Sequence, residues 1–161
     1  MALNAYLKMT GETVGDVEGG VTQAGREGMM EVYGWSHEVV SPRDAASGLP
    51  TGKRQHKPIT ITKPVDKASP LLMAILTTNE NITEWQLRCW RPSRTGQEEQ
   101  FYTIQLENAS IARIHQESLN NRYEENMAHA EREHVSFTYQ KITWAYDGGP
   151  VTEDDWQQSG D

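Results

Sequence analysis

The chain has 161 residues, with 15 basic and 23 acidic side chains and a formal net charge of -8. That length suits one domain with one core, and the acidic balance argues against general electrostatic attraction to nucleic acid or anionic lipid. No apolar run approaches the roughly 20 residues a membrane helix needs, the longest clean one being Leu71 to Leu76.

Segments of period two, bounded by Gly, Pro, Asn and Ser clusters, predict a mainly β chain. The first places Ala5, Leu7 and Met9 on one face. The N-terminal residues Met1 to Lys8 show no basic region leading into a long apolar segment and cleavage site. Synthesis and folding in the cytoplasm are therefore expected, with any export by a route that reads no signal peptide. Met30 to Val40, rich in valine and aromatic residues, predicts a second strand. Ser41 to Lys57 follows as a long polar excursion containing Pro42, Gly48, Pro50 and Gly52 with mixed charges, and a loop of that length is usually functional or disordered. Next, Ile59, Ile61 and Val65 stand against Thr60 and Thr62.

One short helix is expected from Ser69. Its hydroxyl can accept from a free first-turn N–H, Pro70 suits the first helical position, Leu71, Leu72, Ile75 and Leu76 make an apolar face, and Thr77, Thr78 and Asn79 end it. A helix of about ten residues is unstable alone in water, so this face must lie on the sheet, covering an open end or seam. Thr83 to Arg91 then puts Trp85, Leu87 and Cys89 together; Cys89 is the one cysteine, so it forms no internal disulfide and reads as core. Tyr102, Ile104 and Leu106 alternate with Phe101, Thr103 and Gln105 until Glu107-Asn108 shifts the phase, as a bulge or sharp bend does. Glu117 to His134 is polar throughout. Val135 to Tyr146 closes the pattern, with Val135, Phe137 and Tyr139 facing one way and Ile142, Trp144 and Tyr146 the other. The expected fold is a small β-barrel of two packed sheets over residues 1–146, with one short α-helix and a long extended loop. Residues 147–161, acidic and glycine-rich with a lone Trp156, read as a flexible tail.

Catalytic patterns fail one by one. Gly48-Leu49-Pro50-Thr51-Gly52-Lys53-Arg54 has too few residues between its glycines for a phosphate loop, puts Arg54 where Ser or Thr would hold Mg²⁺, and leads into a strand, not a helix. Gly34-Trp35-Ser36-His37-Glu38 lacks the second glycine of a nucleophile elbow. His129 and His134 are five apart and so face different ways on a helix, reading as solvated loop ends. His37, His56 and His115 have no ligand spacing. Glu98-Glu99 and Asp154-Asp155 are neighbours that do not face each other and read as solvated surface. No metal, cofactor or enzymatic activity is expected. Trp35, Trp85, Trp90 and Trp144 lie in strand segments and are expected in the core or a subunit contact. The alternative is a monomeric β-sandwich that stacks exposed tryptophans on carbohydrate.

The remaining specific information lies in the long loop and its flanks. His37-Glu38-Val39-Val40-Ser41-Pro42-Arg43-Asp44, continuing through Gly48-Leu49-Pro50-Thr51-Gly52-Lys53-Arg54 to His56-Lys57-Pro58, resembles the extended-loop signature of one subgroup of the haemolysin-coregulated protein (Hcp) family. Three more segments resemble that family in order: Ala5-Tyr6-Leu7-Lys8 with Gly11; Pro70-Leu71-Leu72 with Asn79 to Trp85 and Trp90-Arg91-Pro92; and Glu133 to Ile142. The resemblance spans residues 1 to about 146 and implies a subunit of the secreted inner tube of a bacterial type VI secretion system. It also implies homohexameric rings that stack, effector proteins bound and chaperoned in the ring lumen, and a spike, contractile sheath and baseplate as partners. Ring closure needs one heterologous interface, for which sheet edges are available, and stacking needs a second. The loop residues Ser41, Pro42, Arg43, Asp44, Lys53, Arg54, His56 and Lys57 are the candidates for the second. Six chains at -8 each repel, so stacking must match opposite charges locally or rely on screening beyond roughly 8 Å.

Overall fold

The structure, a computed structural model, describes residues 3–156. In chain order its elements are β1 (Ala5–Gly11), β2 (Gly15–Val17), β3 (Met30–Val32), β4 (Gly34–Ser36), β5 (Val39–Val40), β6 (Gln55–His56), β7 (Ile59–Pro64), α1 (Ser69–Thr78), β8 (Ile82–Pro92), β9 (Glu98–Glu107), β10 (Ser110–Glu117), β11 (Arg132–Thr138), β12 (Lys141–Tyr146) and β13 (Val151–Asp155). A single 3₁₀ turn, Glu124–Asn126, interrupts the β10–β11 connection.

Period-two alternation becomes rows of side chains. In the larger sheet, ordered β13-β12-β9-β8-β1-β2 with β3 also on β1, Met9, Trp85, Leu106 and Ile142 stand in one cross-strand row and Leu7, Leu87, Ile104 and Trp144 in the next. The smaller sheet, β10-β11-β7-β4, answers with Ile111, Phe137 and Ile59, and with Ile114, Val135 and Ile61. These inner faces pack into one core, in which Trp85 meets Phe137 edge-on at 5.3 Å. Edge-on aromatic pairing of this kind between facing sheets adds roughly 0.5–1.5 kcal/mol beyond area burial.

The architecture is that of two packed antiparallel sheets with one α-helix, and their ladders do not close into a barrel. The chain steps between sheets at the seams. Tyr33 links β3 to β4 and donates its N–H to the Thr62 carbonyl at 2.7 Å. Asn108, at φ 50°, turns β9 into β10, so the phase shift seen there in the sequence is a corner between sheets. Tyr139 and Gln140 carry the chain from β11 in one sheet to β12 in the other. The apparent strand Met30 to Val40 is thus three short strands with three different partners.

Two other expectations change for physical reasons. The third inward position of β7 is taken by Lys63, fully buried, while Val65 lies beyond the strand and is exposed. Glu133 faces Lys63 across the ladder and is equally buried, which makes the C-terminal end of the polar stretch 117–134 part of the interior. Ser69 does not cap α1, whose cap residue is Ala68. The Asp66 carboxylate accepts the Ala68 N–H instead, and the Ser69 hydroxyl donates to Glu133 at 2.8 Å. The helix lays Leu72 and Ile75 into the core beside β10, as its apolar face requires. Residues 147–156 are a turn and an edge strand, β13, laddered to β12 from Lys141↔Asp155 to Ala145↔Val151. A flexible tail is therefore excluded for them, because backbone pairing orders the segment whatever its hydropathy; 157–161 lie outside the described residues.

Candidate functional site

The loop between β4 and β7 is an arm with its own internal order. β5 and β6 pair antiparallel at its base, and an isolated bridge joins Arg43 to Pro50 further out. The tip closes where Asp44 donates its N–H to the Leu49 carbonyl and its carboxylate accepts the N–H groups of Ala46 (2.6 Å) and Ser47. Those two backbone donors hold the Asp44 carboxyl below its usual pKa. Gly48, at φ 73°, supplies the left-handed residue the turn needs. Ser41, Arg43, Asp44, Lys53 and Lys57 are all exposed, and Pro42 is half-buried.

Arg54 and His56 have a different position from the rest of the loop. The Arg54 guanidinium is bidentate on Asp154 of β13, with Nη2 at 2.7 Å from Oδ1, and also reaches the Asp155 carbonyl at 3.2 Å. The His56 ring is 1% exposed. Its Nε2 meets the same Asp154 carboxylate at 2.7 Å, its Nδ1 meets the Tyr139 hydroxyl at 2.7 Å, and Trp156 lies tilted over it at 5.6 Å. Both residues, placed by sequence among the stacking candidates, are engaged by Asp154 within their own chain and root the arm. Burial costs each one hydration that the Asp154 carboxylate replaces.

The same Tyr139 hydroxyl also meets His37 Nε2 at 2.7 Å. A phenol has one proton, so it donates to one imidazole and accepts from the other. With Asp154 accepting from His56 Nε2, neutral His56 offers Nδ1 as acceptor. Tyr139 then donates to His56 and His37 donates to Tyr139. Burial, then the neighbouring His56, pushes the His37 pKa down. Hydrogen bonding from Arg54 holds Asp154 down against a smaller opposing effect of burial, and burial, followed by the charge of Asp154, pushes Tyr139 up. No sequence spacing signals this cluster, since His37 and Tyr139 are 102 residues apart and His56 and Asp154 are 98 apart.

The tryptophans separate by environment. Trp85 is core, and Trp144 is half-buried beside His37 at 6.2 Å. Trp90 is half-buried under the Arg26 guanidinium at 4.2 Å. Trp35 is 40% exposed. Trp35 and Trp90 border a concavity of about 610 Å³ with Leu3, Tyr33, Phe101 and Arg91 among its other walls. Among the described residues Arg91 is the one charged side chain there, and no carboxylate or amide side chain lines it to read sugar hydroxyls. Glu98 pairs with Arg26 and Glu99 with Arg91. His134 is a half-buried strand residue bonded to Thr62 and Glu117, where a solvated loop end was expected, because β11 begins before it. Among the described residues no group of three or more His, Cys, Asp or Glu side chains is arranged to hold a metal ion.

Residues 6–146 match the family model described as "Type VI secretion system effector, Hcp". The chain is 42% identical over 168 aligned positions to the "Major exported protein" of Pseudomonas aeruginosa, covering 98% of this chain and 97% of that relative. Among solved structures it is similar to a crystal structure of an Hcp protein, with TM-score 0.90, 31% identity and coverage of 97% and 99% of the two chains. It is also similar to the secreted protein Hcp3 from Pseudomonas aeruginosa, at TM-score 0.79, 34% identity and coverage of 96% and 99%.

Proposed function

The chain belongs to the Hcp family of type VI secretion proteins, and we propose that it is a structural subunit of the exported inner tube, assembling as homohexameric rings that stack. The observation that carries this reading is the arm. An exposed hairpin is held clear of the body by a root in which His56 is buried and Asp154 grips two arm residues. An arm that must enter a neighbour's surface gains affinity from being ordered before it binds. The contact that closes a ring can come from the sheet rims. β10 and β13 end their sheets, so each offers an outer row of backbone N–H and C=O groups for a neighbouring copy.

In this reading the chain is exported by the type VI route. The spike, contractile sheath and baseplate of that system are its partners, and effector proteins travel in the ring lumen. Its role is structural, not catalytic. Size-exclusion chromatography with light scattering, over a salt series, tests the assembly: a particle of six chains is expected, with a central hole in negative-stain images. A single chain at micromolar concentration would sink the proposal.

A further inference from the structure

The arm and the β10–β11 connection leave the smaller sheet at opposite ends. Ile59, which follows the arm, pairs with Phe137, and Pro64 at the far end of β7 pairs with Arg132, where β11 emerges from residues 118–131. β7 has six residues, so the two features are separated by roughly 20 Å of strand.

These two ends are complementary. Residues 41–57 carry Arg43, Lys53, Arg54 and Lys57 against Asp44 alone, a positive segment in a chain whose net charge is -8. Arg54 is taken by Asp154 of its own chain, which leaves Arg43, Lys53 and Lys57, all exposed. Residues 118–131 carry Glu124, Glu125 and Glu131 against Arg122 alone. Each end also shows apolar side chains to solvent on otherwise polar ground: Leu49 at the arm tip is 64% exposed, and Tyr123 and Met127 on the far loop are 57% and 71% exposed. Burying these groups against one another removes apolar surface from water on both copies.

We propose that the arm of one copy docks on the 118–131 loop of a second copy, with Leu49 seated between Tyr123 and Met127 and with Arg43 and Lys53 facing Glu124 and Glu125. This rests on the tube reading and names the acceptor in it. Donor and acceptor at opposite ends of one sheet make a heterologous contact, which runs on along a line when the copies are related by translation along the strand direction. It uses neither β10 nor β13 edge hydrogen bonds, so rings and stacks draw on separate surfaces. It also answers the charge problem of stacking acidic rings, because attraction acts at short range where screening is weakest.

The test is the full chain carrying Leu49→Cys and Tyr123→Cys together. Cys89 can stay, because burial pushes its thiol up to about 11 and withholds it from oxidation. Under mild oxidation, non-reducing gels are expected to show ladders running past six chains, while either single substitution gives pairs at most. Replacing Arg43 and Lys53 by Glu should slow the cross-linking by about tenfold, and adding Glu124→Lys and Glu125→Lys should restore it. Rings by light scattering with no cross-link would overturn the docking and leave the tube reading intact. Cross-linking that stops at six chains would place the arm within the ring and overturn the docking too. A lone chain in solution would remove both.

Discussion

Lys63–Glu133 and Arg54–Asp154 are both ion pairs that fasten an appendage to the β body, the first α1 and the second the arm, but they work in different media. Lys63 and Glu133 side chains are both 0% exposed, at 2.6 Å, whereas Arg54 and Asp154 are 34% and 27% exposed. The buried pair survives because its hydrogen-bonding capacity is filled. The Lys63 ammonium donates to Glu133, Asp66 and the Pro64 carbonyl, and Glu133 also accepts from Ser69 and Gln116. The arm's pair sits where water screens it and a buried histidine shares its carboxylate. A saturated interior network makes a fixed fastening, while a half-open one makes a joint whose strength depends on protonation.

The contrast is broken most severely from the buried side. Glu133→Ala takes away the fully buried partner of Lys63 and leaves Asp66 as its remaining carboxylate, which should cost about 3 kcal/mol in urea unfolding, whereas the double Lys63→Met, Glu133→Leu variant should recover most of that loss. Wild-type stability for Glu133→Ala would mean the pair does not pin the helix. At the arm, Tyr139→Phe deprives His37 and His56 of their shared hydroxyl and is expected to cost about 1–3 kcal/mol, read by the same unfolding. Asp154→Asn should move the unfolding midpoint less than Tyr139→Phe does. It should nevertheless raise hydrogen exchange at Val39, Val40, Gln55 and His56 while leaving β7 and β11 protected; unchanged exchange in the arm would show that Asp154 does not root it.

Acidification sharpens the same contrast with the smallest effect. The folded His37 pKa lies below its ordinary value of about 6.5, so the unfolded chain takes up this proton first. The contribution of neutral His37 is therefore complete above that value and is lost as pH falls through the depressed folded one. Asp154 behaves alike one step lower: its contribution is present above the ordinary carboxylate range and lost as pH falls through its lowered folded pKa. Burial alone would raise Glu133, but hydrogen bonds from Gln116, Lys63 and Ser69 outweigh it and leave it lowered, so the helix fastening also holds until below the carboxylate range. Arm exchange should rise between pH 7 and pH 5 while α1 exchange does not, and parallel changes in both would erase the distinction.

The β character, α1 and the arm were legible from sequence because each rests on a local pattern. Alternation marked Leu7 and Met9, or Trp85 and Leu87, as one face; Pro70 with the Leu/Ile spacing marked the helix; Pro and Gly within a polar run marked the arm. The family resemblance too is carried by contiguous residues, from His37 to Pro58 above all. Which arm residues project and which root it was not legible. Arg43, Lys53, Arg54 and Lys57 look equivalent in a polar loop, and Arg54 differs only because β13 brings Asp154 beneath it.

A period-two pattern states that a residue faces inward and says nothing of what waits there. Sequence alone thus determined the kinds of element and their order, while partners were decided by the tertiary structure. Lys63 tolerates an interior site because Glu133, 70 residues away, arrives opposite it. His56 can be buried because a strand more than ninety residues later lays Asp154 against its ring. The cost of hiding a charge or an imidazole depends on groups within a few ångströms, and only the register of distant strands sets which groups those are.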